Sequence, residues 1–166
     1  MGLPVIATKR YVLERMGHAM PEDLPRFAEA LEEATVSSVD ATFPDVKPAL
    51  AALKEQGHRL FLSTNANRSN AESALFGGGI REFFDGLLML ETARAKKDRP
   101  YYWRRAFEHA ATDPAQAVVV DDVPKFLAPP AMMGATCFHL VRSGESPGLS
   151  SFPVIGSLDS LCARIR

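Results

Sequence analysis

Apolar positions along the chain change their spacing near residue 42. Before that point, RYVLERMGHAM and EDLPRFAEALEEATVSSV carry apolar residues every three to four positions, among them Leu24, Phe27, Ala28, Leu31 and Ala34. That spacing predicts two amphipathic helices separated at Pro21, with strand character confined to Leu3–Thr8. Beyond it, short apolar runs alternate with helical patterns. Asp45 stands where a helix cap belongs and opens a predicted helix through Gln56, with Pro48 in the first turn and Gly57 just past the end. His58–Ser63 (HRLFLS) reads as a strand, and Ser69–Phe76 as a helix closed by Gly77-Gly78-Gly79. Gly86–Leu90 reads as a short strand, Arg99–Ala111 as a helix, and Ala117–Val120 as a strand after the Asp113-Pro114 break. Pro124–Met133 reads as a helix that Pro129-Pro130 would distort or end. Thr136–Val141 is a predicted strand, 142–153 (RSGESPGLSSFP) a long loop, and Leu158–Ile165 a terminal helix.

Strands alternating with helices of this length predict an α/β fold, a Rossmann-like parallel sheet covered on both faces. The expected organisation is a helical segment over residues 1–41 and an α/β core over 42–166. A length of 166 residues suits one ordinary domain with a small appendage. The net charge of −1 gives no reason to expect a polyanion or a membrane surface as partner, so the basic and aromatic interleaving of RAKKDRPYYWRR does not argue for nucleic acid. The two cysteines, Cys137 and Cys162, show neither metal-like spacing nor a disulfide framework, which fits a reducing compartment. Apolar runs fall well short of the roughly 18 residues of a membrane span. The N-terminus lacks a signal-peptide core, and Ile6 stands where myristoylation favours Ser or Thr. The expectation is a cytoplasmic protein.

In parallel α/β sheets, ligands sit at the carboxyl ends of the strands. Ser63-Thr64-Asn65 follow the first strand of the core, Asp121-Asp122 follow the third, and Lys96-Lys97 lie between them. Adjacent carboxylates repel and raise each other's pKa unless a cation offsets them. The pair is therefore either a solvated turn before Pro124 or a feature built around a metal. Asp121 and Asp122 supply hard oxygen ligands suited to Mg²⁺, which takes one or two carboxylates plus water and substrate oxygens. The Thr64 hydroxyl, the backbone donors at the turn behind it, and a lysine ammonium suit a phosphoryl group. Plainer roles exist for each: Thr64 can cap the helix that follows, and Lys96 lies as near as Lys97. His58 and His139, at or in predicted strands, read as structural, and Met132-Met133 as core.

Three of these stretches in this order resemble the haloacid dehalogenase-like hydrolase superfamily. LFLSTN is similar to the family's second motif and places Thr64 and Asn65 as phosphoryl-binding residues. KDRPYYW resembles the third and places Lys97, which would hold phosphate and nucleophile in register. VVVDDVP resembles the fourth, with Asp122 at the usual Mg²⁺ ligand and Asp121 as the flanking acid. The resemblance covers about residues 42–166 and implies Mg²⁺-dependent hydrolysis of a small phosphorylated metabolite. A dehalogenase would have little use for a metal-binding acid pair. The order hydroxyl, lysine, acids is not that of a receiver-type signalling domain. The family's nucleophile, the first Asp of an Asp-x-Asp motif, has no counterpart, because no Asp-x-Asp occurs in the sequence. LPVIAT would put Ala7 and Lys9 in those places. Two expectations follow. Either the chain starts downstream of the first motif, with residues 1–41 a remnant of the family's helical cap, or it is a non-catalytic binding or scaffold protein. Truncation is favoured, and the chain as written is expected to be hydrolytically inactive.

Overall fold

The computed structural model describes residues 3–142, 148 and 150–165, with side chains from Ala7 onward. The Met-Gly start and most of the expected 142–153 loop lie outside them. Two units make up the chain.

The first unit holds helices α1 (Leu3–Arg15), α2 (Leu24–Ser37) and α4 (Arg68–Gly77). Leu3–Thr8, which has strand character in sequence, is the first half of α1. Asp23 caps α2 by accepting the Arg26 N–H at 3.0 Å, with Pro25 in the first turn, and Leu24 and Ala28 form its buried face. In α4 the buried residues are Ala71, Ser73 and Leu75, and Asn70 donates to Glu32 on α2 at 2.8 Å. A Cβ on Gly77 would lie 2.6 Å from the Val39 carbonyl oxygen, a backbone approach that only glycine permits.

The second unit is the α/β part. It runs α3 (Val46–Glu55), β1 (Phe61–Ser63), then, after the excursion into α4, β2 (Gly86–Leu88) and α5 (Leu90–Ala93). It continues with α6 (Pro100–His109), β3 (Val118–Asp121), α7 (Pro124–Met132), β4 (Thr136–Leu140), β5 (Val154–Ile155) and α8 (Leu158–Cys162). All pairings are parallel, but they form two sheets: β1 with β2, and β3–β4–β5. Among the described residues no ladder joins β1 to β3, so the single sheet predicted from sequence is divided between them.

Alternation of side chains along β3 and β4 gives the second sheet two buried faces. Val119 and Cys137 pack with Leu88, Tyr102, Trp103, Phe107 and Leu127 beneath α6 and α7. Phe138 points the other way and packs with Leu53, Ile155 and Leu161 from α3, β5 and α8. The helices that cover these faces begin and end where the sequence punctuates them. Pro100 and Pro124 open α6 and α7, and a Schellman motif closes α3: Gly57, at φ +85°, donates to the Lys54 carbonyl, and the His58 N–H to the Leu53 carbonyl, both at 3.0 Å.

Two local expectations change. Pro129-Pro130 do not end α7; it continues to Met132 with both rings buried, so their burial compensates for the lost N–H donors. Asp45 occupies the cap position of α3 without capping it. Its carboxylate instead accepts two hydrogen bonds of 2.6 Å from Arg142 Nη1 and one of 2.7 Å from the Leu158 N–H, joining the start of α3 to the end of β4 and the start of α8.

Candidate functional site

The carboxyl ends of β1 and β3 meet at Lys97. Its loop leaves α5 through Arg94, in the left-handed region at φ 53°, and re-enters helix at Pro100. Lys97 Nζ donates to the Ser63 carbonyl oxygen at 3.1 Å and to the carboxylate of Asp121. Its backbone N–H donates to Asn65 Oδ1 at 3.0 Å, and its carbonyl accepts the Trp103 indole N–H at 2.8 Å. The ammonium lies 5.3 Å from the centre of the Phe126 ring. Burial separates the two candidate lysines: Lys97 is 8% exposed, whereas Lys96 lies in solvent. Three segments far apart in sequence are thus held together by one side chain, which bridges β1 and β3 where no backbone ladder does.

The two acids occupy different environments. Asp121, 7% exposed, is fully engaged: Oδ2 meets Lys97 and Oδ1 accepts the Val123 N–H at 2.9 Å, turning the chain into α7. Asp122 is exposed, and among the described residues its carboxylate has no hydrogen-bond or ion-pair partner. Its backbone carbonyl is held by His139 Nε2 at 3.1 Å. The repulsion expected of neighbouring carboxylates is relieved on one side by the Lys97 ammonium and on the other by water.

Thr64 is anchored to β2 through its N–H, which donates to the Leu88 carbonyl at 2.9 Å. Its hydroxyl oxygen accepts the Ala66 N–H at 3.0 Å, leaving the hydroxyl proton available to a ligand. With its Oδ1 on Lys97, Asn65 keeps its amide N–H groups free among the described residues. The structure therefore brings Thr64, Asn65, Lys97 and Asp121 into one connected cluster, with Asp122 at its exposed edge.

Tyr102 completes the floor of the cluster and has no signal of its own in the sequence beyond its place on the apolar face of α6. Its hydroxyl donates to the Leu88 carbonyl at 2.8 Å and lies 3.0 Å from Ser63 Oγ. Burial pushes its pKa above the usual value, outweighing its hydrogen bonds with Ser63 and Thr64, and the charge on Asp121 pushes the same way.

Among the described residues no three His, Cys, Asp or Glu side chains cluster as a protein-only metal cage. A free carboxylate beside hydroxyl, amide and ammonium donors suits a different mode, in which Mg²⁺ takes one or two carboxylates and completes its shell with water and phosphate oxygens. No described helix is long and apolar enough to cross a membrane.

Comparison with known proteins gives a consistent picture. A model described as haloacid dehalogenase-like hydrolase matches residues 9–125. The chain is similar to a plasmid-encoded phosphoglycolate phosphatase of Cupriavidus necator, 31% identical over 134 residues that cover 78% of this chain and 58% of that protein. It is also similar to enolase-phosphatase E1 of Branchiostoma floridae, 27% identical over 135 residues, 76% of this chain and 44% of that one. The chain thus spans about half the length of these curated relatives. Among solved structures it is similar to a phosphatase from Thermococcus onnurineus, with TM-score 0.72 and 21% identity over 94% of this chain and 78% of that one. It resembles the L-2-haloacid dehalogenase of Xanthobacter autotrophicus with TM-score 0.67 and 17% identity, over 92% and 70% of the two chains. At these identities the likeness to solved structures is one of fold.

Proposed function

The chain belongs to the haloacid dehalogenase-like hydrolase family, and from that premise we propose that its rim is a phosphoryl-binding site of the phosphatase kind that takes Mg²⁺ and a small phosphorylated metabolite. The observation that carries this reading is the position of Lys97, whose ammonium and backbone tie together the segments bearing Thr64, Asn65 and Asp121. In this reading the Thr64 hydroxyl and the Asn65 amide donate to phosphoryl oxygens, and Lys97 neutralises the phosphate charge. Asp122 is the first ligand of Mg²⁺. Asp121, beside it, would be the flanking acid of the metal site, with its Oδ2 held by Lys97. The metal, when bound, supplies charge to polarise the phosphoryl oxygens. The substrate class is supported by relatives whose names specify phosphatases, phosphoglycolate phosphatase among them. Residues 1–41, with α1 and α2, are read as the counterpart of the family's cap, which would carry the substrate specificity.

Hydrolysis by this family passes through an aspartyl-phosphate, and no Asp-x-Asp occurs in these 166 residues. We therefore read the chain as it stands as binding without turnover. Its assay is hydrolysis of para-nitrophenyl phosphate with Mg²⁺, alongside a thermal-shift titration with Mg²⁺ and inorganic phosphate. The expected outcome is no turnover, together with an upward shift in melting temperature that Asp122→Asn and Thr64→Val each diminish. Turnover abolished by Asp122→Asn would overturn the inactivity, and absence of any shift would overturn the binding site. The second reading, a non-catalytic binding or scaffold protein, is favoured by the same missing nucleophile and by the engagement of Asp121 with Lys97. It predicts binding with no gain of turnover when an Asp-x-Asp-bearing strand is added ahead of the chain.

A further inference from the structure

We infer that His139 is a positioning residue for Asp122, an inference that rests on reading Asp122 as the Mg²⁺ ligand. His139 lies on β4 opposite Asp121 on β3 and shares the buried face on which Cys137 meets α7. From there its ring reaches under the turn into α7, where Nε2 is 3.1 Å from the Asp122 backbone carbonyl. A carbonyl oxygen can only accept, so Nε2 carries a proton and donates it to the Asp122 carbonyl. Nδ1 is buried and has no partner among the described residues, and the residue is 4% exposed. A phenylalanine or leucine would fill the space without burying an unpartnered ring nitrogen, so what histidine adds at this position is the Nε2–H bond.

The bond has a specific geometric effect. Asp121 Oδ1 fixes the turn from one side through the Val123 N–H, and His139 fixes it from the other through the Asp122 carbonyl. With both ends of the turn held, Asp122 has a set backbone and only its side-chain torsions remain free. Cation ligands on a pre-set backbone lose less entropy on coordination, and partners that orient a ligand indirectly commonly change metal affinity by about 10–100-fold.

The experiment is calorimetric titration of Mg²⁺ into wild type, His139→Gln, His139→Asn and Asp122→Asn, with folding of each checked by melting in EDTA. The terminal nitrogen of Gln lies close to the place of Nε2, whereas that of Asn lies near Nδ1 and falls short of the carbonyl. Both are buried amides, so a purely structural role would lower the melting temperature in either case and leave affinity alone. The inference expects wild type to bind, His139→Gln to stay within about threefold, and His139→Asn to weaken by about tenfold or more. Should the Asn variant not fold, His139→Phe, which keeps the volume and loses the donor, carries the same expectation. Wild-type affinity in the folded Asn or Phe variant overturns the positioning role while leaving Asp122 as ligand. Absence of Mg²⁺ binding by wild type, or its persistence in Asp122→Asn, overturns the ligand reading and the positioning role together.

Discussion

Asp121→Asn isolates the charge at the centre of the site. The substitution keeps the side-chain volume and an oxygen for the Val123 N–H, so the turn into α7 stays capped. What disappears is the negative charge facing Lys97, in a pair whose side chains are 10% and 4% exposed. Removing one partner of a buried ion pair costs about 3–5 kcal/mol, because the other charge is left desolvated and uncompensated. Lys97 keeps two residual supports, the Ser63 carbonyl at 3.1 Å and the Phe126 ring at 5.3 Å, which places the loss at the lower end, about 3 kcal/mol. For a chain of this size that is a fall in melting temperature of roughly 6–12 °C. The single tryptophan makes the assay local: Trp103 is buried beside the site and donates its indole N–H to the Lys97 carbonyl, so its fluorescence follows unfolding of the α/β unit. The double variant Lys97→Met with Asp121→Asn removes the stranded ammonium and should recover a large part of the loss, a coupling that a double-mutant cycle reads directly. A loss under about 1 kcal/mol in Asp121→Asn, or a double variant no more stable than the single one, would refute the buried-pair argument.

Two further outcomes follow from the frame around the site. Burial raises the pKa of Asp45, but the hydrogen bonds from Arg142 and the Leu158 N–H, with the charge of Arg142, outweigh it and hold the carboxyl below its usual value. A depressed folded pKa gives stability that is present above the unfolded value, near 3.8, and lost as pH falls through the folded one. Asp45→Asn should therefore cost on the order of 3 kcal/mol at neutral pH and flatten the acid limb below about pH 4, measured as urea midpoints against pH; an unchanged acid limb would contradict this. Gly86→Ala should destabilise the β1–β2 pair by about 1–3 kcal/mol, because its Cβ would fall 2.8 Å from ring carbons of Phe61, its cross-strand partner. That ring is flanked by His109, edge-on at 6.4 Å, and by Arg59 at 5.7 Å, so it has little room to yield; a wild-type melting temperature would show that it does.

Elements that carry their own punctuation were legible in the chain. Gly57, Gly77, Pro100 and Pro124 bound helices through effects confined to a few residues, so α3, α4, α6 and α7 lie within a residue or two of their expected positions. Elements set by remote partners were not. Asp45 has the local pattern of a cap, yet its carboxylate belongs to Arg142, ninety-seven residues away. The two-residue β5 exists because β4 offers it an edge, with the His139 N–H donating to the Pro153 carbonyl at 2.9 Å. That Thr64, Asn65, Asp121 and Asp122 would lie at strand ends was readable from the chain, and the family resemblance, not residue type, singled out Lys97 from Lys96. The carbonyl of Ser63, the phenol of Tyr102 and the imidazole of His139 were not readable, because each contributes through a contact that only the assembled sheets create.

The division of labour between the two acids follows from the strand that delivers them. Successive residues of a strand point to opposite sides, so a pair of carboxylates at the end of β3 cannot both face the same neighbour. Asp121, the last residue of the strand, is directed into the junction with β1, where its negative charge allows a lysine to be buried. Asp122, one residue on, is carried outward with its carboxylate in water and its backbone fastened by His139. One acid is therefore spent on holding the two sheets together at their carboxyl ends, and the other is left chemically available at the same edge. That asymmetry is why the sequence Asp-Asp, rather than a single Asp, suits a rim whose positive charge must be fixed before any ligand arrives.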